Sequence, residues 1–253
     1  MKLITNERLI RRNSGIAKYA SGAGLAVLLL GLLFSFGQPR AVAGQPAPTE
    51  MTIPLTTITL PSSTAVALSF GALILGFILT NAGVYFTNNW LRRPDQALNA
   101  ALKGLDDRFL LVHYRLGASH ALFAPAGVFV LVPKFQTGTV RYDDQKRKWH
   151  HKGSNAYFRL FGQQGLGNPS AEAAVEVDAL TRALKKQLPG REIPAVQPII
   201  VFTSDNVQLN TEGAPQPALL AAKLKDYLRR LPKGAALPVE VIKELEEMMN
   251  DER

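Results

Sequence analysis

The chain has no cysteine. That excludes disulfides and thiolate metal centres, and it fits a reducing compartment. Charge is also missing over long stretches. No charged residue occurs in residues 19–39, and in residues 51–91 the one ionisable side chain is Tyr85. Acid is scarce relative to base, with 20 Asp and Glu against 29 Lys and Arg, a net charge of +9 over 253 residues. A basic excess alone is compatible with nucleic acid, anionic lipid or the positive-inside bias of a membrane protein. The order of the charges separates these.

Residues 1–18 form a basic segment, with Lys2, Arg8, Arg11, Arg12 and Lys18 against Glu7. The uncharged stretch that follows predicts a transmembrane helix over 19–37, with its basic flank in the cytoplasm. A cleaved leader is the rival reading, because Ala41-Val42-Ala43 has the small-x-small pattern before Gly44. Residues 38–63, rich in Pro and Thr, read as an extracytoplasmic loop with an extended piece over 51–60. Residues 64–87 read as a second span. It ends in Tyr85, Phe86 and Trp90, an interfacial aromatic belt, and Arg92 and Arg93 then mark the cytoplasmic side. Ala67, Gly71, Ala72 and Gly76 suggest a small-residue face for close helix packing, and Asn81 either bonds the first helix or reaches the interface. The expectation is a multi-pass protein of the cell membrane with both termini in the cytoplasm.

From Pro94 a soluble domain is expected over 94–231, followed by a C-terminal helix and acidic tail over 232–253. Pro94 suits a first helical position, Leu98, Leu102 and Leu105 recur at helical spacing, and Gly104 stops the helix. Strands are predicted over 108–116, 120–124 and 128–134, the last two joined at Pro125-Ala126-Gly127. The unalternated run Val128-Phe129-Val130-Leu131-Val132 calls for cover on both sheet faces. A hairpin follows, turning at Asp143-Asp144 and returning near Trp149. Residues 162–167 lack the pattern of a phosphate-binding loop and read as a connection. Asn168-Pro169-Ser170 opens a helix to about residue 188, with Ala174, Val177, Leu180, Thr181, Leu184 and Leu188 on its apolar side. A central strand over 196–203, an edge strand over 206–209 and helices over 218–231 and 238–249 complete an α/β domain. The last helix runs into Glu244, Glu246, Glu247, Asp251 and Glu252.

Lys134, at the end of a buried strand, has two readings. It marks the exit into water, with its stem over apolar surface, or it belongs to a site. For the second, residues 117–138 resemble the NERD (nuclease-related) domain, a branch of the PD-(D/E)XK restriction-endonuclease-like superfamily. His120, Pro125, Gly127, Val128, Phe129, Val130, Lys134 and Gly138 fall in step with that family's motif. Ser119 stands where the family has Asp, and Val132 where it has Glu. Asp95, beside Pro94, occupies the place of the family's opening Gly-Glu, and Asn168-Pro169 matches a helix start. The resemblance covers residues 95–209 and implies a restriction-endonuclease-like fold, a mixed sheet flanked by helices. It also implies Lys134 as a vestigial catalytic group and Asp95 as a possible partner.

Mg²⁺ requires anionic oxygen ligands. Val132 offers none and Ser119 only a hydroxyl, so no metal or other cofactor is expected unless Glu172 and Glu176, one helical turn apart, supply relocated carboxylates. Around the hairpin, Arg141, Lys146, Arg147, Lys148 and Lys152 form a basic cluster with Tyr142 and Trp149 interleaved. It suits nucleic-acid phosphates with aromatic stacking, anionic lipid, or plain solvation. Adjacent His150 and His151 point to opposite faces of a strand, which argues against zinc. The expected function is a membrane-anchored, catalytically inactive binding module for nucleic acid or a protein partner. The alternatives are an active Mg-dependent nuclease and a structural membrane protein that recruits others.

Overall fold

The structure, a computed structural model, describes residues 1–36, 49–52, 59–87, 90, 92–153, 165–234 and 236–251. The small-x-small site at residues 41–43 and residues 162–164 of the 162–167 connection lie outside the described residues. The chain forms two compact units, Ile10–Arg92 and Met1–Leu9 together with Arg93–Arg253.

In the first unit, α1 (Glu7–Phe36) and α2 (Ser62–Phe86) are long and apolar enough to cross a membrane. Helix α1 starts well before the predicted residue 19, because Asn6 caps it: its side-chain oxygen accepts from Leu9 N at 3.0 Å. Leu25, Leu29, Leu30, Phe70, Ile74 and Phe77 are exposed along the two helices. Small residues let the backbones meet. A Cβ on Gly24 would lie 2.5 Å from Thr80 N, one on Gly76 2.7 Å from Leu28 N, and one on Gly31 3.1 Å from Ala72 Cβ. The predicted small-residue face was only partly right. Gly71 has nothing within 4 Å of its Cβ position, while Ala65, Ser69, Gly76 and Gly83 are buried. Positions 65, 69, 72, 76 and 83 share one helical stripe, and 67 and 71 fall outside it. Asn81 donates to Phe77 O at 2.8 Å within its own helix, so it does not bond α1. Before α2, β2 (Glu50–Thr52) and β3 (Thr59–Pro61) pair antiparallel.

The second unit is α/β. A six-stranded mixed sheet has the order β1-β4-β5-β6-β9-β11. Its strands are β1 (Lys2–Thr5), β4 (Leu110–Leu116), β5 (Ala118–Ala124), β6 (Gly127–Lys134), β9 (Val196–Phe202) and β11 (Ala218–Leu220). All run parallel except β5. The β5–β6 hairpin closes with Ala124 opposite Gly127, whose φ of 142° suits glycine. The run in β6 is covered on both faces. Val128, Val130 and Val132 pack with α4 (Pro169–Gln187) and α6 (Val239–Asp251), through Leu180, Leu184, Val241 and Leu245. Phe129 and Leu131 pack with α3 (Pro94–Leu102) and α5 (Ala221–Arg230), through Leu98, Leu102, Leu224 and Leu228.

Three sequence expectations need correction, and one strand was not foreseen: residues 2–5 of the basic N-terminus are an edge strand, Lys2 opposite Leu110 and Thr5 opposite His113, with Ile4 in the core. Residues 218–220, predicted helical, extend the sheet beside β9. The buried stripe of α4 begins at Ala173, not Ala174, because 173, 177, 180, 184 and 188 keep helical spacing. The C-terminal helix is no appended tail but a core layer, with Leu245 and Met249 fully buried.

A second sheet has the order β10-β7-β8, from β7 (Gly138–Asp143), β8 (Lys148–Lys152) and β10 (Val207–Asn210). Val140 and Val207 on its inner face pack with Ile200 and Phe202 of β9.

Candidate functional site

The sheet gathers its polar residues at one end, where β4 and β6 finish and β5 begins. Ligands of open α/β sheets gather at such carboxyl ends. The side chains divide between the two faces by strand alternation.

Lys134 lies on the α4 face and does not exit into water. Its Nζ donates to Glu172 Oε2 at 2.6 Å and to the Leu166 carbonyl at 3.2 Å, and 8% of its side chain is exposed. On the same face, Ser119 donates to Glu176 twice, from its backbone N at 2.6 Å and from its hydroxyl at 2.8 Å. Of the two glutamates one turn apart on α4, Glu176 therefore reaches Ser119 and Glu172 reaches Lys134, and both are already engaged. Val132, 5% exposed, presents only methyl groups.

Asp95 does not bond Lys134. It is 2% exposed and held by Arg93, which donates from Nε at 3.0 Å and Nη2 at 2.7 Å. This bond raises the Arg93 guanidinium further above its ordinary range. Mg²⁺ does not fit this donor set. One position is aliphatic, one carboxylate serves a lysine, one serves a serine and one an arginine. Among the described residues, no group of three His, Asp or Glu could hold a metal ion.

Beside Asp95 lies a buried histidine pair. His113 Nδ1 and His120 Nδ1 are 2.7 Å apart, and His113 Nε2 is 3.0 Å from Asn99 Oδ1. With the Asn99 oxygen accepting from His113 Nε2–H, His113 Nδ1 becomes the acceptor and His120 Nδ1–H the donor. Burial pushes His113 down from 6.5 to about 4, opposed by the nearby Asp95 carboxylate. Burial also lowers His120 well below its ordinary value, and His113 adds to this. Tyr114, edge-on to His120 at 4.9 Å, has its phenol raised first by burial and then by Asp95. Among the described non-glycine residues, positive φ occurs at Arg93 (50°), Tyr114 (58°) and Arg147 (50°). Two of these three flank this cluster, where backbone strain is often retained for function. The pair was missed from sequence, although strands over 108–116 and 120–124 with a tight turn at Gly117 place 113 opposite 120. The Ser119–Glu176 contact had no comparable signal beyond helical spacing in α4.

The basic cluster is sorted by the second sheet. Arg141 is opposite His150, Asp143 opposite Lys148 and Thr139 opposite Lys152, and all but Asp143 are exposed. Tyr142 and Trp149 are opposite each other on the other face, in edge contact at 5.2 Å. Trp149 packs against the core and donates from its indole to Ser170 at 2.8 Å. The aromatics are thus not interleaved with the cations in space. Lys146 and Arg147 sit in the exposed turn, where Asp143 accepts from Lys146 N at 3.0 Å. His151 bonds the Thr137 carbonyl at 2.8 Å and His150 is exposed, so the two do not share a site. No protein-family model, no curated protein and no solved structure matches this chain.

Proposed function

We propose that this chain is a membrane-anchored domain of the NERD type, facing the cytoplasm, that does not hydrolyse phosphodiesters and binds a phosphate-rich partner. The observation that carries this is the engagement of Glu172 by Lys134 and of Glu176 by Ser119. An ammonium and a hydroxyl take the carboxylates that a divalent ion would need. The exposed cations of β7 and β8 supply the binding surface. The strand pairing of residues 2–5 with β4 supports the hairpin anchor, since both ends of the α1–α2 segment then belong to one domain.

A second reading has one observation in its favour. Glu176 reaches the degenerate position Ser119 and Glu172 reaches Lys134, so two carboxylates stand beside the motif residues, as relocated ligands of a working nuclease would. Incubating the full chain in detergent with DNA and RNA, with and without Mg²⁺ or Mn²⁺, separates the two. The proposed reading expects no metal-dependent cleavage, and binding to polyanions that falls steeply with salt. Cleavage that needs the metal and disappears in Lys134→Ala would overturn it.

A further inference from the structure

We infer that the exposed face of the β10–β7–β8 sheet docks on an anionic lipid leaflet. This rests on the reading above and names its phosphate-rich partner as the bilayer surface.

The face follows from strict alternation. Thr139, Arg141, Lys148, His150, Lys152, Gln208 and Asn210 are exposed, while Val140, Val207, Leu209, Tyr142 and Trp149 turn inward. No apolar side chain stands among the outward residues, so the face adsorbs by charge and does not insert. Lys146 and Arg147 extend the cations into the turn, and the opposing acids are Asp143 and Asp144. Asp143, the half-buried one, already accepts from a backbone N–H. Single-stranded nucleic acid would be served by outward aromatics on which bases stack. Here both aromatics are committed to the inner side, one through its indole N–H. A phosphate lattice without bases matches what the face offers. The anchor supplies proximity: only residues 87–93 separate α2 from α3, so the lipid surface is present at high effective concentration.

The test is trypsin cleavage at Lys146, Arg147 and Lys148 in the full chain, reconstituted in vesicles of phosphatidylcholine alone or mixed with phosphatidylglycerol. Cleavage after Lys233, also exposed, is the internal reference on outward-facing molecules. The expected result is about tenfold slower cutting of the turn in the anionic vesicles, reversed by high salt. The slowing is lost in a variant carrying Arg141→Glu and Lys152→Glu, whose melting temperature matches the parent. Equal rates in the two lipids overturn the inference. So does protection by added RNA or duplex DNA with no difference between lipids, an outcome that leaves phosphate binding itself standing. Metal-dependent cleavage in the separate nuclease assay would sink the non-hydrolytic reading without altering these rates.

Discussion

Lys134 Nζ lies between Glu172 Oε2 and the Leu166 carbonyl, nearly enclosed, whereas the Glu172 side chain is half exposed. The two partners therefore respond differently to mutation. Glu172→Gln leaves a buried ammonium without its counter-charge and is expected to cost about 1–2 kcal/mol, less than a fully buried pair because water screens one side. Lys134→Met removes the buried charge, keeps the stem's packing and is expected to cost less than Glu172→Gln. Thermal melting of the two variants under one condition checks the order, and the reverse order would show that Lys134 is solvated. The histidine pair gives a pH signature. His113 and His120 are held neutral when folded, so the unfolded chain binds more protons once the pH drops below the ordinary imidazole value. Their contribution is complete above about pH 6.5 and is lost on acidification towards 4. For His113 alone the loss at pH 5 is about 2 kcal/mol. Melting temperatures of the full chain from pH 7.5 to 5 should fall reversibly, and a flat profile would contradict the neutral pair.

Among the elements, the helical hairpin gives a paired comparison. Gly24→Ala puts a methyl group against the Thr80 backbone, whereas Gly71→Ala meets open space. The first is expected to lower the thermal stability of the α1–α2 pair by about 1–3 kcal/mol, the second to leave it unchanged. Equal effects would mean that the helices do not meet at Gly24. The contrast also marks what the sequence could disclose. The two long apolar helices were legible because lack of charge is a local property, and the β5–β6 hairpin because Pro125, Gly127 and an unalternated run are local too. The stripe of small residues needed its helical phase, which Gly71 alone could not fix. β1 was illegible: a four-residue strand carries no periodicity, and its pairing depends on β4, far along the chain. At the site, Lys134 could be singled out from sequence, but its burial and its carboxylate partner depend on how α4 crosses the sheet. The outward turn of the cations and inward turn of the aromatics followed from period two once β7 and β8 were aligned, and the reading of interleaved residues along the chain had ignored it.

For the whole molecule, the strand pairing of residues 2–5 constrains topology. If α1 and α2 both cross the bilayer, the segment before the first and the domain after the second lie on one side. The lack of native cysteine makes this directly measurable. Single variants Glu7→Cys and Asp205→Cys, both exposed, should react with an impermeant maleimide from the same side of sealed vesicles, and Thr49→Cys from the other. Labelling of Glu7→Cys and Thr49→Cys from one side would contradict it. The parallel pairing of Lys2–Thr5 with Leu110–Leu116 also sets an order of events during synthesis. The first strand leaves the ribosome roughly a hundred residues before its neighbour exists, a costly loop closure. It must wait unpaired while both helices are threaded, and only a chain that has returned to its starting side can seat it. If both helices cross a bilayer, insertion acts as a checkpoint that precedes assembly of the α/β fold, and a nascent chain stalled halfway carries an orphan strand for quality control to find.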